Sequence, residues 1–529
     1  MVDYIVVGGG SAGCVVASRL SEDPDIAVTL LEEGPSDLSP YIHMPVAFYK
    51  TAQGDLLERY PWETSPGHTG APNPTMVQPR VLGGGSSVNA MVYVRGQRSD
   101  FDSWEASGGK EWGYEGVMRH FRKCENNDRF CNEFHGAEGP LAVSDQRFTH
   151  PLSKIWLQAC QQAGLPWNPD FNTGEQFGCG LYQITARNGR RSSAATAYLK
   201  PARKRQNLKV RTRCRVLRIL FEGRRAVGVE YLDRDRLRSL RADREVIITS
   251  GAINSPKLLM LSGIGPSAPL RSQGIKVLQD LPGVGRNLQD HVEVSMLSEL
   301  NSALSYDKYK KWYWQLAAGL QYILFNSGPV TANIVEGGAF WKTPLSQGRP
   351  DVQYCFMPGA GIDEGVDGVP GGSGCTVNVC QTRPRSVGYL QLRSGDPMDL
   401  PVIRPNYLQE QFDVDTMAEA IRFGREIMHQ PAIARHVKRE YVPLRPLNSI
   451  DEYRTFVRKE AHAALHPVGT CKIGVDDMSV VNADLKVRGI DGLRVADNSV
   501  APNLISGNTN SIAIMIGEKA ADLVRHVHG

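Results

Sequence analysis

The chain opens with an alternation of apolar and glycine-rich stretches that predicts a strand, a tight turn and a helix. Four apolar residues, from Tyr4 to Val7, form the short continuous run expected of a fully buried strand. The sequence GGGSAG follows, and residues 14–20 then have helical character. A second apolar run, AVTLL at 27–31, has the length of another buried strand. The pattern predicts an α/β unit built around a glycine turn.

The glycines and one acidic residue of this unit match the dinucleotide-binding fingerprint. Gly8 permits the tight turn, Gly10 lets backbone approach a pyrophosphate, and Gly13 allows the helix to pack closely on the strand. Free amides at the helix start, that of Ser11 included, favour phosphate. Glu32 can accept hydrogen bonds from an adenosine ribose, which favours FAD or NAD over NADP. A glycine turn without a ligand is the alternative, and the fingerprint does not choose between FAD and NAD.

Length and composition restrict the classes of protein. A chain of 529 residues suggests two or more compact units, and 41% hydrophobic with 22% charged residues is typical of a soluble globular protein. The net charge of +4, without a dense Lys/Arg run, gives nucleic-acid binding little support. No apolar stretch is long enough to span a bilayer, and the early first strand leaves no room for a signal peptide. Ten scattered cysteines without zinc spacing favour a reducing, cytoplasmic location and no metal site.

Two later segments repeat the combination of glycines and buried strands. Between residues 35 and 79 the chain is rich in Pro, Gly and polar residues, and we expect a long loop lying across a cofactor. The glycine triplet of RVLGGGSSVN follows at 80–89. A buried strand at 246–248 then leads into SGAINSPKLLMLSGIG at 250–265. Glycine triplets let backbone approach a ligand closely, although a structural turn is equally compatible with one alone.

These two segments resemble the signature patterns of the glucose-methanol-choline (GMC) family of FAD oxidoreductases. The second pattern fits at every defined position, and the first departs only at Pro79, where the family usually has a small residue. The resemblance continues along almost the whole chain, through LPGVGRNLQDH at 281–291, GYLQLRSGDPMDLPVIRPNYL at 388–408, HPVGT at 466–470, RVAD at 494–497 and GNTN at 507–510.

The resemblance implies the architecture. Similar proteins interleave a Rossmann-like FAD-binding domain of α/β class with an α+β substrate domain on a mostly antiparallel sheet. The expected FAD-binding pieces are residues 1–150, with the loop over the flavin, 200–300 and 460–529. The expected substrate pieces are 151–199 and 301–459.

The resemblance also implies the catalytic residues. His466 falls where the family places its catalytic histidine, and a neutral imidazole can take the proton of an alcohol. Asn510 falls where the family places the partner, either His or Asn, and its amide can orient the substrate oxygen. A helix expected from about Ser511 would turn its N-terminal amides toward the flavin. A structural histidine beside proline is the alternative.

Other flavin contacts transfer by position in the family motifs. Val88 stands where some members carry a histidine bonded to the flavin, so we expect non-covalent FAD. The implied contacts are Gly85, Asn89, Ala90 and Val92 near the isoalloxazine and phosphates, the backbone of Val216 at the adenine, and Asp497 at the ribityl or pyrophosphate region.

The substrate is predicted from weaker signals. The aromatic stretch 305–325 either lines an access channel or packs a cap helix into the core, and core packing is the favoured interpretation. With residues 327–341 it most resembles the L-sorbose dehydrogenase branch of the family, ahead of the polyethylene glycol and choline branches. The main hypothesis is oxidation of a sugar or polyol primary alcohol, with electrons passed to a quinone or other non-oxygen acceptor. An oxygen-using oxidase, a hydroxynitrile-lyase-like enzyme and a non-catalytic flavin protein are the alternatives. The oligomeric state, homo-oligomer included, is open.

Overall fold

The predicted strand, turn and helix at the start of the chain lie at the centre of a seven-stranded sheet. The computed structural model describes residues 2–64, 70, 74–361 and 368–528. The opening strand is Val2–Val7, and the helix Ser11–Leu20 follows it. Five strands run parallel, in the order Leu208–Arg211, Val28–Leu31, Val2–Val7, Arg236–Ile248 and Leu493–Val495. The α/β prediction for this unit is confirmed.

An antiparallel meander extends the sheet on one side. It consists of Cys214–Glu222, Arg225–Asp233 and the first half of Arg236–Ile248. The last strand changes character along its length, because its charged first half is mostly exposed and its apolar second half is buried in the parallel sheet. The charged stretch 234–244 is therefore a largely solvent-exposed arm of a hairpin.

A second seven-stranded sheet is antiparallel throughout, as the resemblance implied. Three helices pack against it, Pro151–Gln162, Gln411–Met428 and Ile450–Glu460. The strand order is Val437–Val442, Val292–Leu300, Gly374–Gln381, Val352–Met357, Gly337–Trp341 and Gly178–Leu181, with His462–Ala463 beside Val292–Leu300.

The expected boundary at residue 300 falls at the end of a continuous strand. Val292–Leu300 pairs with the antiparallel sheet from its first residue. The chain thus enters that sheet at about residue 292, before the boundary expected from the resemblance. The division of the chain into domains, this boundary included, stays a prediction.

The stretch 35–79 is more regular than expected for a loop. It contains the short helices Pro40–His43 and Phe48–Thr51 and a hairpin of Leu57–Pro61 with Thr75–Pro79. Residues 65–69 and 71–73 lie outside the described residues. Trp62 is buried and packs edge-on against Tyr407. The hairpin fixes this segment to the rest of the molecule by backbone pairing and aromatic packing.

The C-terminal helix begins at Asn510, one residue before the predicted position. The other α-helices are Gly85–Val88, Arg98–Gly108, Tyr114–Cys124, Lys200–Ala202, Gly251–Leu261, Ser267–Ser272, Trp312–Phe325 and Pro431–Ala434. Single helical turns occur at Pro45–Ala47, Lys110–Trp112, Ala195–Leu199, Tyr306–Lys310, Pro329–Thr331 and Asn498–Val500. Two-stranded ribbons pair Glu125–Asn127 with Leu141–Val143, Ala186–Arg187 with Arg190–Arg191, Ile264–Gly265 with Gln279–Asp280, and Tyr389–Gln391 with Val402–Arg404.

The aromatic helix Trp312–Phe325 contradicts its favoured interpretation. Core packing was expected, but Ala318 is the one buried residue of the helix and most of its large apolar side chains are exposed. In the described part of the chain, no helix is both long enough and apolar enough to cross a bilayer.

Candidate active site

A cavity of about 720 Å³ lies between the two sheets. One wall follows the carboxyl ends of the parallel strands, where ligands bind in open α/β sheets. The other wall carries side chains of the antiparallel sheet, such as Glu293 and Asn378. Every site residue predicted from the sequence lines this cavity except Gly13, namely Gly8, Gly10, Ser11, Glu32, Gly85, Asn89, Ala90, Val92, Val216, His466, Asp497 and Asn510.

The glycine turn is packed too tightly for side chains. Gly8 has a φ of +105°, and a Cβ there would lie 2.7 Å from the carbonyl oxygen of Thr249. A Cβ on Gly13 would lie 1.9 Å from the carbonyl oxygen of Gly8, so helix and strand approach closely at this point. No side chain caps the first turn of the helix that begins after Gly10. Its first amides are therefore free to bind an anion at the cavity.

Glu32 holds the turn together as well as lining the cavity. Its Oε2 accepts a hydrogen bond from the amide of Gly9 and its Oε1 one from that of Gly34, both at 2.7 Å. Burial raises the pKa of Glu32. Each carboxylate oxygen keeps a second lone pair, so a ribose hydroxyl can still donate to it.

The two ends of the chain meet at Ser11. Its Oγ donates to Oδ1 of Asn510 at 2.7 Å and accepts from the amide of Ser86 at 3.2 Å. Gly84 lies so close to Gly10 that a Cβ on Gly84 would approach the Gly10 Cα to 2.7 Å. The contact with Ser11 leaves the amide nitrogen of Asn510 as the group that can donate to a ligand.

Asp497 anchors the turn before the helix Gly251–Leu261. Its Oδ2 accepts from the amide of Gly251 at 2.9 Å and from Oγ of Ser255 at 2.6 Å, and its Oδ1 accepts from the amide of Ser499. Burial raises the pKa of Asp497. The carboxylate thus acts as a turn residue and also lines the cavity.

The wall of the cavity fits a dinucleotide such as FAD. Two buried oxygens among the lining residues, Gln78 Oε1 and Asn498 Oδ1, have no hydrogen-bond partner in the described structure. Buried polar atoms are normally paired, so these oxygens suit a ligand that supplies donors. Together with the glycine cradle and the free helix amides, they give the cavity the donor and acceptor set of a dinucleotide site.

Two histidines from distant parts of the chain, His291 and His466, meet at one side of the cavity, which we call the reactive side. The Nε2 of His291 lies 2.9 Å from the carbonyl oxygen of Ile505, and a carbonyl can only accept, so Nε2 carries the proton. Burial lowers the pKa of His291 to about 4, which keeps the ring neutral and its Nδ1 an acceptor. The Nδ1 of His466 lies 2.9 Å from that atom and must therefore donate to it.

This tautomer prepares His466 to act as a base. With its proton on Nδ1, the ring presents the lone pair of Nε2, which lies 3.3 Å from Nδ2 of Asn508. Burial, and in second place the neighbouring His291, lower the pKa of His466 to about 3. The imidazole is thus neutral at physiological pH.

Asp290 fixes the backbone of the catalytic segment. Its Oδ1 accepts from the amide of His466 at 2.7 Å, and Tyr407 donates to its Oδ2 at 2.5 Å. Burial raises the pKa of Asp290 to about 7. The carboxyl group lies behind the histidine and holds its main chain in place.

Sequence reasoning missed three members of this arrangement. His466 and Asn510 do line one cavity, but the side chain beside Nε2 of His466 is that of Asn508. Asp290 and His291 end the segment LPGVGRNLQDH, which carried part of the resemblance but received no chemical role. The signal that could have found them is two adjacent titratable residues directly before a buried strand.

The substrate side of the cavity combines polar and apolar surfaces. Asn378 donates from Nδ2 to Oε1 of Glu293 at 2.7 Å, and Nε2 of His462 lies 3.4 Å from the same oxygen. Lining side chains of Phe48, Val335 and Met357 form an apolar surface. Among the described residues, no group of three or more His, Cys, Asp or Glu side chains is placed to hold a metal ion.

Comparison with known proteins agrees with this geometry. Two models of the GMC oxidoreductase family match residues 2–293 and 384–517. The chain is 42% identical to "Alcohol dehydrogenase [acceptor]" of Pseudomonas putida over 529 residues, which are 99% of this chain and 96% of the relative. It is 42% identical to "Choline dehydrogenase, mitochondrial" of Homo sapiens, covering 99% of this chain and 89% of the relative. The crystal structure of pyridoxine 4-oxidase from Mesorbium loti superposes with a TM-score of 0.89 and 31% identity, covering 99% of both chains.

Proposed function

Because the chain belongs to the GMC oxidoreductase family and is therefore an FAD-dependent oxidoreductase of CH–OH donors, we propose that it oxidises a primary alcohol to an aldehyde with His466 as the base. The observation that carries this proposal is the hydrogen bond from His466 Nδ1 to His291 Nδ1, which leaves the lone pair of Nε2 facing the cavity beside Nδ2 of Asn508. When bound, FAD supplies the acceptor for the hydride that leaves the alcohol carbon.

His466 removes the hydroxyl proton of the substrate. The alcohol donates its proton to Nε2, and the imidazolium that forms keeps its second N–H bond to His291. Asn508 and Asn510, which also line the cavity, hold the substrate oxygen beside Nε2. Asp290 prevents movement of the histidine main chain during this transfer.

The flavin-binding residues are proposed from the motifs and their common cavity. The helix amides after Gly10 receive the pyrophosphate, Glu32 receives the adenosine ribose, and Val216 contacts the adenine. Val88 also lines the cavity and offers no atom for a covalent bond, so FAD is held non-covalently. The residues that would contact the isoalloxazine and ribityl parts of FAD are Gly85, Asn89, Ala90, Val92, Asp497 and Asn510.

A sugar or polyol of the L-sorbose type is the substrate that we propose. Glu293, Asn378 and His462 provide carboxylate, amide and imidazole groups that can hydrogen-bond several hydroxyls. One observation favours a second candidate. The Glu293 carboxylate on the cavity wall also suits a cationic alcohol, such as the choline in the name of the human relative.

The electron acceptor is proposed from the name of a relative, and the cellular location from the state of the cysteines. A quinone or another non-oxygen acceptor agrees with the word "acceptor" in the name of the Pseudomonas putida relative. None of the ten cysteines, all of which lie within the described residues, forms a disulfide, and nine of them are buried or half-buried. Reduced thiols of this kind support a reducing compartment such as the cytoplasm.

An anaerobic titration of flavin absorbance tests the proposal. We expect L-sorbose to bleach the oxidised flavin, and we expect the His466→Gln variant to keep its flavin spectrum but bleach at least about a hundredfold more slowly. Bleaching by choline, 1-propanol or benzyl alcohol alone would keep the mechanism and overturn the sugar. No bleaching by any alcohol would contradict the oxidation and favour a lyase.

Admission of air after bleaching tests the acceptor. Slow recovery of the oxidised spectrum, with fast recovery on adding a soluble quinone, is the expected result. Rapid recovery with formation of hydrogen peroxide would assign the protein as an oxidase.

A further inference from the structure

The helix Trp312–Phe325 exposes more apolar surface than a helix of a globular protein normally does. The side chains of Trp312, Ile323, Leu324 and Phe325 are 68–77% exposed. Tyr313, Trp314, Leu316 and Leu320 are also exposed, at 42–56%. No residue of the helix is charged. Large contiguous apolar surfaces mark interaction sites rather than ordinary solvent-facing elements.

The distribution of these side chains identifies the kind of partner. At about 100° per residue, the large exposed side chains span more than half of the helix circumference. A helix or sheet face of another protein covers a stripe of about 100° and would leave the rest in water. Acyl chains and headgroups of a lipid layer can surround the helix on all of its exposed sides.

Cationic side chains lie beside the apolar surface. Lys308 and Lys311 lie within four residues before the helix, and in the described part of the chain neither forms an ion pair with a carboxylate, whereas Lys310 between them pairs with Asp307. Lys308 Nζ lies 5.3 Å from the ring centroid of Trp314. Arg190, which is exposed, is close enough to Tyr322 for its charge to act on the phenol. Lysines and arginines next to Trp and Tyr suit a surface that carries anionic headgroups.

Both ends of the helix are held by the rest of the molecule. After Phe325, Asn326 adopts a left-handed conformation with φ of +48°, and its side-chain Nδ2 donates to the carbonyl oxygen of Asn188. Before the helix, Tyr306 and Tyr309 pack in a cluster with Phe48 and other residues of the cavity wall. The apolar helix therefore belongs to the side of the molecule that carries the substrate surface.

We propose that this helix docks the protein peripherally on an anionic phospholipid bilayer, with Trp312–Phe325 lying in the interface and Lys308 and Lys311 on the headgroups. The helix is about 21 Å long at 1.5 Å per residue, shorter than the bilayer core of about 30 Å, so it lies in the interface and does not span. Docking in this orientation brings the substrate side of the cavity toward the membrane. The inference concerns binding alone and is independent of the alcohol that the enzyme oxidises.

Vesicle binding by the holoenzyme tests the proposal. The probe is vesicles of equal parts phosphatidylglycerol and phosphatidylcholine, with sedimentation as the readout. The helix variant carries Trp312→Ser, Ile323→Ser and Phe325→Ser, and we expect its partition to fall at least about tenfold. The matched control carries Leu38→Ser, Leu444→Ser and Val475→Ser, which removes three comparably exposed apolar side chains elsewhere and should bind as the parent does.

A charge variant gives a second test that does not depend on the stability of the helix. Replacing Lys308→Gln and Lys311→Gln should lower the partition about fivefold for each lysine and leave little difference between anionic and neutral vesicles. Brominated lipids should quench tryptophan fluorescence in the parent and not in a Trp312→Phe, Trp314→Phe variant.

Three results would overturn the proposal. They are no binding of the parent to anionic vesicles, equal binding of the helix variant, and a dimer in sedimentation velocity that the helix variant abolishes without any lipid binding by the parent. The third result would assign the helix to contact with a second copy of the chain. Retention of the flavin spectrum and of activity with a soluble dye shows that each variant is folded.

Discussion

The two sides of the cavity are built in different ways. The flavin side consists of backbone and glycines from segments that stay local in sequence, such as residues 8–13 and 83–89. The reactive side consists of side chains that meet across the chain, since His291 and His466 are 175 residues apart. The flavin side requires glycines, because a Cβ atom would collide with neighbouring backbone. The reactive side requires that the ring protons of His291 and His466 lie on particular nitrogens. Substitutions on the two sides should therefore fail in different ways.

The largest effect is expected from a methyl group on the flavin side. Gly13→Ala places a Cβ 1.9 Å from the carbonyl oxygen of Gly8 and 2.6 Å from Oγ1 of Thr249, so helix and strand must separate. We expect the purified variant to lose most of its flavin absorbance, and its activity with it. Gly174→Ala, where a Cβ meets nothing within 4 Å, is the matched control. Full flavin content in Gly13→Ala would show that the turn tolerates expansion.

The next largest effect belongs to the reactive side and should spare the flavin. His466→Ala removes the proposed base, and we expect kcat/KM to fall about 10²- to 10⁴-fold with an unchanged flavin content. Removal of the exposed His429 by the change to Ala serves as the control. Rates close to those of the parent would exclude His466 as the base.

His291 should act through His466 rather than on the substrate. In His291→Phe the ring nitrogen that accepts from His466 Nδ1 is lost, and both tautomers of His466 become accessible. We expect kcat to fall about 10- to 100-fold with little change in KM. One of the two causes that lower the pKa of His466 also disappears, so the acid limb of kcat/KM should move to higher pH. A change confined to thermal stability would indicate a purely structural role.

Asn510 connects the two sides, because its Oδ1 accepts from Ser11 of the glycine turn. Asn510→Ala should reduce kcat/KM about tenfold and weaken flavin retention together. Asn510→His should recover most of the activity, because the resemblance implies that family members carry either His or Asn at this position. If Asn510→His were no better than Asn510→Ala, the amide would be needed for the contact with Ser11 alone.

A further effect concerns stability and its dependence on pH rather than catalysis or flavin binding. Burial raises the pKa of Asp290 from 3.8 to about 7, so the folded state holds this proton more tightly than the unfolded state. The free energy of unfolding contributed by Asp290 therefore falls as pH rises from about 4 to about 7, by about 4 kcal/mol at most. In the Asp290→Asn variant the side-chain oxygen can still accept a hydrogen bond from the His466 amide, and the pH-dependent fall in the free energy of unfolding is absent.

Urea unfolding at pH 5 and pH 8 measures the difference for Asp290. We expect Asp290→Asn to gain stability over the parent as pH rises, whereas Asp25→Asn, at an exposed position, should follow the parent at both pH values. A parallel pH dependence of Asp290→Asn and parent would mean that the carboxyl ionises normally in the folded protein.

The flavin side could be predicted from the sequence, because the features that build it are local. A buried strand, a turn that only glycine can form and a helix start are each specified within about twenty residues, and Glu32 follows at a fixed distance. The C-terminal helix could be predicted from residues that are equally close in sequence. The resemblance then placed His466 and Asn510 on this frame.

Which side chains contact His466 depends on the tertiary structure and could not be predicted from the sequence. The proton on His466 Nδ1 depends on His291, whose own proton depends on the carbonyl oxygen of Ile505, and no periodicity links these three positions. The exposure of the helix Trp312–Phe325 could not be predicted either, because an apolar sequence does not distinguish a helix buried in the core from one on the surface. Local chemistry fixes the elements, and the packing of distant segments fixes which protons and surfaces remain available.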